Sequence, residues 1–203
     1  MLSRSKGLTM KLIALGAFAV ATLVAGAASA QTQTPPLTHG PVVTGVCAYN
    51  PQALIATSTA GRSLATGLQR LGEEVRGELA PYATSLESEA TALQQGGQAA
   101  DPDGSRARAW QQRLQEAQQL EETRTNELRY TERLQTQAIV TAARPIIAAL
   151  YQEKGCSILL DGGNVLAINP QMDLTEAAVQ RLNQALPSLP QFTRSAVPAQ
   201  AQQ

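Results

Sequence analysis

Nine residues, Leu64, Leu68, Leu71, Val75, Leu79, Tyr82, Leu86, Ala90 and Leu93, follow one another at steps of 4, 3, 4, 4, 3, 4, 4 and 3. They form three interleaved sets that each repeat every 11 residues: 64, 75 and 86; 68, 79 and 90; 71, 82 and 93. An 11-residue repeat corresponds to about 3.67 residues per turn, a straight helix or a slightly right-handed supercoil, whereas a seven-residue zipper drifts left-handed. The stripe is narrow, so a helix over residues 61–95 buries one seam and leaves most of its surface in water. Such a helix needs a partner, and the rest of the chain must supply it.

Residues 95–104, Gln-Gly-Gly-Gln-Ala-Ala-Asp-Pro-Asp-Gly, combine glycines, a proline and aspartates, and they break the helix. A second helix begins near Ser105 and runs through Trp110, Leu114, Ala117, Leu128 and Leu134 to Lys154, with a weaker apolar pattern among Gln, Arg and Glu. A short breaker between two long helices predicts an antiparallel helical hairpin with its tip near 96–104. The 35 residues of helix one span about 50 Å at about 1.5 Å per residue. Reflecting residue 61 about a tip near 100 places its partner near 139. Residues 140–154, with Ile146, Ile147, Ala148 and Leu150, therefore lie beyond the paired arm, and Pro145 marks a join where a kink is expected.

What flanks the hairpin reads as a small β body over 42–60 and 140–190. Residues 42–49 are a β-branched and small apolar run, read as a strand that Asn50-Pro51 ends, and Ser58 or Thr59 can cap the following helix. The closing block, Glu153-Lys-Gly-Cys-Ser-Ile-Leu-Leu-Asp-Gly-Gly-Asn164 and onward, predicts strands over 157–160 and 165–168 around an Asp-Gly-Gly-Asn hairpin turn. Asp173-Leu-Thr-Glu176 is a capping-box start to a helix carrying Ala178, Val179, Leu182 and Leu186, which Pro187 and Pro190 end. Residues 191–203 are expected to be disordered. The fold class is thus α+β, a small β body from which a long antiparallel α-helical hairpin projects. About three strands with so little cover are marginal alone, and oligomerisation through the body is the natural remedy.

The N-terminus reads as a targeting segment. Arg4, Lys6 and Lys11 precede an apolar run over 12–25, and Ala28-Ser29-Ala30 is a small-x-small cleavage signal. The run falls short of the ~20 residues that span a bilayer, so residues 1–30 are expected to be a cleaved secretory signal, with cleavage after Ala30 and a periplasmic product. Residues 31–41 then form a flexible leader. Residues 1–30 hold three basic and no acidic residues, so the remainder carries 13 basic against 16 acidic residues, a net charge of −3, with Lys154 its only lysine. This is a poor electrostatic footprint for nucleic acid or anionic lipid. Cys47 and Cys156 are the only cysteines and have no metal-ligand spacing. In an oxidising compartment they can pair, and as two buried thiols they serve equally well.

Little in the chain suits catalysis. His39, the single histidine, sits in the Pro-rich leader, so histidine-dependent triads are excluded. Glu73, Glu74, Glu121 and Glu122 are adjacent pairs on helices, and adjacent helical residues diverge, so they read as solvated faces. Asp161-Gly-Gly-Asn164 lacks the lysine and spacing of a phosphate loop. No cofactor or metal is expected. Gly67, Gly72, Gly77 and Pro81 lie inside helix one, where each glycine costs about 1 kcal/mol relative to alanine and a proline about 3. They predict a place where the arm bends.

With these residues in place, the chain resembles the Skp/OmpH family of periplasmic chaperones over about residues 45–190. The resemblance is carried by Tyr49-Asn-Pro-Gln-Ala-Leu54, by Ser58-Thr-Ala-Gly-Arg62, by Pro145-Ile-Ile and by the closing block through Asp173-Leu-Thr-Glu176 to Arg181-Leu-Asn183. It implies a homotrimer in which a β body carries three helical tentacles. It further implies that the trimer encloses unfolded outer-membrane proteins before their insertion, without ATP. The known design is basic with lysine-rich tips, whereas Asp101 and Asp103 stand here against Arg106, Arg108 and Arg113, so membrane contact is weak at most. On this reading Tyr82, Leu86 and Trp110 are the candidate client-binding residues, and the rest of the stripe zips the arm. The alternative is a non-enzymatic envelope adaptor whose coiled coil spaces two partners.

Overall fold

A computed structural model describes residues 38–198; the expected signal (1–30), most of the leader (31–37) and residues 199–203 lie outside the described residues. In chain order the elements are β1 (Val46–Tyr49), α1 (Pro51–Thr57), α2 (Thr59–Ala100), α3 (Ser105–Glu153), β2 (Ile158–Asp161) and α4 (Thr175–Ala185). Two short 3-10 turns, Gly162–Asn164 and Pro170–Met172, connect β2 to α4. The architecture is α+β: long helices with a two-stranded sheet.

β1 and β2 run parallel, in the register Val46↔Ile158 to Tyr49↔Asp161. Parallel neighbours need a long crossover connection, and here the connection is the entire helical hairpin. The hairpin of strands expected at 157–168 does not form. The Asp161 carboxylate accepts from the Gly163 N–H (2.9 Å) and from Asn164 Nδ2 (2.9 Å), which winds the chain into a 3-10 turn. Gly162 lies against the Tyr49–Asn50 backbone, where a Cβ would stand 3.2 Å from Asn50 Cβ. The chain is thereby led across the end of β1, and residues 165–168 are not a strand. The sheet is extended by a single bridge between Ala48 and Asp173, where the Leu174 N–H donates to the Ala48 carbonyl at 2.8 Å.

Asn50 stops β1 and also starts α1, a helix absent from the sequence reading: its side chain accepts from the Ala53 N–H at 2.9 Å, and Pro51 follows at the first helical position. At the corner between α1 and α2, the buried Ser58 Oγ accepts from the Gly61 N–H (3.1 Å). A Cβ on Gly61 would overlap the Ile55 carbonyl, so only glycine lets α2 leave at this angle. Asn183 on α4 holds the same corner by accepting from the Thr59 N–H (2.7 Å) and hydroxyl (3.0 Å). At the start of α4, Asp173 accepts from the Thr175 N–H at 2.8 Å, and its own N–H goes to the Pro170 carbonyl. The expected capping box does not form: Leu174 precedes the helix without a side-chain cap, and Asp173 bonds to the Thr175 N–H in place of that of Glu176.

The core lies where α1, the base of α2, residues 139–150 of α3, and α4 meet, with Leu54, Ile139, Ala143 and Leu182 wholly inaccessible to solvent. Cys47 and Cys156 are joined by a disulfide, with Cα atoms 5.8 Å apart. α3 continues through Pro145 as one helix.

α2 and α3 pair as an antiparallel hairpin, with Arg124 on Glu78 and Arg113 on Glu89, both pairs centred on Asp101. The helix does not stop at residue 95: it steps out of helical geometry at Gly97 (φ 49°) and resumes to Ala100. The turn proper is 101–104, where Asp101 accepts from the Arg106 and Ala107 N–H groups and Gly104 takes φ 69°. Along the stripe, Leu64, Leu71 and Val75 are buried, Leu68, Leu79, Leu86, Ala90 and Leu93 are half-buried, and Tyr82 is 49% exposed.

The chain after α4 departs from the expected disorder, because residues 187–198 are packed along the arm. Leu189 is buried and its N–H donates to Ser63 Oγ (2.8 Å), while Arg70 Nη2 donates to the Phe192 carbonyl (2.6 Å). The single aromatic ring and single charge of this segment, Phe192 and Arg194, both find partners on the hairpin.

Candidate functional site: a groove on the arm

The three residues singled out as client contacts fall on the same stretch of arm, about midway between body and tip. Tyr82 and Leu86 lie one turn apart on α2 and line a cavity of about 330 Å³ with Pro81, Ser85, Arg113 and Glu116. Trp110 stands behind it on α3. Its half-buried indole N–H donates to the Leu86 carbonyl at 2.9 Å, which holds the ring against α2 and fixes the register of the two helices there. Trp110 therefore supports the groove from behind, while Tyr82 presents its ring to solvent.

The groove has an apolar floor and a charged rim. Arg113 is ion-paired with Glu89 across the seam, and Glu116 completes the wall contributed by α3. Pro81 has no N–H, so the Gly77 carbonyl lacks its helical donor one turn below. An apolar or aromatic side chain can lie against Leu86 and Tyr82 with its backbone near the rim charges. His39 is exposed near the N-terminal end of the described residues and is not among the groove residues.

Closer to the body is a cluster that the sequence reading missed. The Glu78 carboxylate accepts from Arg124 Nη2 (2.5 Å) and Arg194 Nη2 (3.0 Å), and Glu127 receives Arg124 Nη1 (3.1 Å) and Arg194 Nε (2.9 Å). The hydrogen bond from Arg124, ahead of that from Arg194, holds the Glu78 carboxyl below its ordinary range, and the same contact raises Arg124. Two positive and two negative groups thus close a neutral network over three separate segments. The one clue in the sequence was that Arg194 is the only charge after Arg181. Beside it, an open and mainly polar cavity of about 750 Å³ lies between α3 and the C-terminal segment, lined by residues that include Asn126, Tyr130 and Arg133.

On the body, β2 leaves Ile158, Leu159 and Leu160 53%, 39% and 38% exposed, and Leu166 is 99% exposed. Three successive apolar residues on an edge strand, exposed on both faces of a two-stranded sheet, form an unpaired and sticky surface. Among the described residues, no group of three or more His, Cys, Asp or Glu side chains is placed to hold a metal ion.

Comparison with known proteins agrees with this architecture. No curated protein matches the chain. A crystal structure from Caulobacter crescentus CB15, named as a candidate outer membrane chaperone (OmpH-like), superposes with a TM-score of 0.66 at 28% identity, covering 81% of this chain and 97% of that one. The family model described as "Outer membrane protein (OmpH-like)" matches residues 45–182, a span that runs from β1 through the whole arm and into α4. The chain belongs to the OmpH-like family.

Proposed function

We propose that this protein is an ATP-independent periplasmic holdase that keeps unfolded outer-membrane proteins from aggregating before insertion, acting as a homotrimer. Family membership supports the chaperone role. The observation that carries the finer reading is the division of apolar surface. The body exposes Ile158–Leu160 on an unpaired edge, suited to self-association, and Leu166 in the connection that follows, while the arm exposes Tyr82 over a shallow apolar groove. A single groove of this size binds weakly. Three arms around one client multiply weak contacts into avidity without any tight site.

In this reading residues 61–139 are the arm, residues 42–60 and 140–190 are the assembly body, and residues 1–30 direct export and are removed. Tyr82 and Leu86 touch the client, and Trp110 keeps the groove in register. The mildly acidic chain holds clients through apolar and hydrogen-bonding contacts more than through charge.

The test is an aggregation assay in which a urea-denatured outer-membrane barrel is diluted into the purified protein, with no nucleotide present. Suppression near one trimer per client is expected. The adaptor alternative is favoured if the barrel precipitates as it does alone. Analytical ultracentrifugation of the Ile158→Glu variant tests the body, with dissociation to monomers expected.

A further inference from the structure

After α4 the chain turns at Pro187 and climbs the arm, and its attachments to α2 rise in order from Ser63 to Glu78. Leu189 donates to Ser63, and the Phe192 ring lies over Gly67, where any Cβ would overlap it. The Phe192 carbonyl accepts from Arg70. Arg194 then reaches Glu78 on α2 and Glu127 on α3 together, and the Ser195 N–H donates to Thr131 Oγ1 on α3 at 2.8 Å. Thr131 is fully buried, and its hydroxyl also donates to the Glu127 carbonyl, so the segment satisfies it. Each attachment up to Phe192 is to α2 alone; beyond it the segment grips both helices.

We propose that residues 187–198 are a splint that locks the lower arm, so that the arm yields beyond Glu78, at Pro81. Below Glu78 the seam is buried at Leu64, Leu71 and Val75 and is clamped from outside by the segment. Immediately above, Pro81 removes a helical hydrogen bond and Tyr82 is exposed. A polar stretch of Pro, Gln, Thr and Ser gains too little from its own contacts to order itself. Its order here comes from the notch at Gly67 and the paired carboxylates. Gly67 therefore serves the splint as a seat for Phe192. Gly72 and Gly77 face open space.

Hydrogen–deuterium exchange with mass spectrometry, on the protein alone, reads this without any client, so its outcome is separate from that of the chaperone assay. The wild-type chain is compared with a chain ending at Gln191, which keeps Leu189 in the core, and with Arg194→Ala. In the shortened chain, amides of residues 64–79 and 124–139 are expected to exchange at least about tenfold faster, as local opening becomes cheaper, while residues 86–114 stay unchanged. Arg194→Ala is expected to move the same peptides by a smaller factor. The splint is overturned by unchanged exchange in the lower arm of the shortened chain, or by equal acceleration along the whole arm. Should the shortened chain lose protection everywhere, Arg194→Ala decides: wild-type exchange at 64–79 and 124–139 in that variant overturns the proposal.

Discussion

Cys47 and Cys156 are bonded across the base of the arm although 109 residues separate them in sequence. One cysteine lies in β1 and the other just before β2, so the bond ties the two strands at the points where the chain leaves for the arm and returns. A loop of this length removes about 4–5 kcal/mol of unfolded-chain entropy on the simple closure estimate. Replacing both cysteines with serine should lower the unfolding free energy by about 2–4 kcal/mol, since engineered and native bonds often deliver less than that ceiling. Urea unfolding with and without a reductant checks this, and a wild-type midpoint insensitive to reduction would count against it.

The glycines of α2 should respond in opposite directions. Gly72→Ala meets open space and should stabilise the helix by about 1 kcal/mol. Gly67→Ala gains the same propensity but must displace the half-buried Phe192 ring, and full burial of such a ring contributes about 1.5–3 kcal/mol. A net loss of about 1 kcal/mol is expected. In a Phe192→Ala background the sign should reverse, and thermal unfolding of the four chains forms the cycle that shows it.

In the groove, Tyr82→Ser changes an exposed side chain with little difference in helix propensity. Circular dichroism and melting should be unchanged while the amount of protein needed to suppress aggregation rises severalfold. Trp110→Phe should behave differently, losing about 1 kcal/mol of stability with the hydrogen bond to Leu86. If Tyr82→Ser holds clients as well as wild type, the groove is not the contact surface.

Acidification should loosen the lower arm through Glu78. Its carboxyl is held below the ordinary value of 4.5 by Arg124 first and by Arg194 as well, with Glu127 sharing both arginines. A depressed folded value means that the contribution is fully present above the unfolded value and is lost as pH falls through the folded one. The window therefore lies below about pH 4.5. Urea midpoints should fall across it, and by less in Arg194→Ala, where part of the linkage is already gone.

Much of the arm was legible in the sequence because a long helix repeats its packing every 11 residues, and a repeat survives in the letters. The two ion pairs centred on Asp101 fall where reflection about the break places them. The sheet was not legible for a different reason. Residues 165–168 are as apolar as a strand, yet whether a run becomes a strand depends on a free neighbour edge, and Gly162 and Asp161 steer the chain elsewhere. Asn50-Pro51 carried two meanings, the end of β1 and the cap of α1, and only the first was read. The C-terminal segment looked like disorder because its composition is polar. What orders it is a missing side chain at Gly67 and two carboxylates far away in sequence.

The parallel pairing of β1 with β2 has a consequence for how the chain assembles. β1 is made early, and its partner arrives only after the whole helical hairpin has been synthesised. Helical hairpins close through local contacts and form fast, whereas a pairing across more than a hundred residues is slow. The arm can therefore be complete while β1 still waits with an open edge, and the sheet and its disulfide become the closing steps of folding.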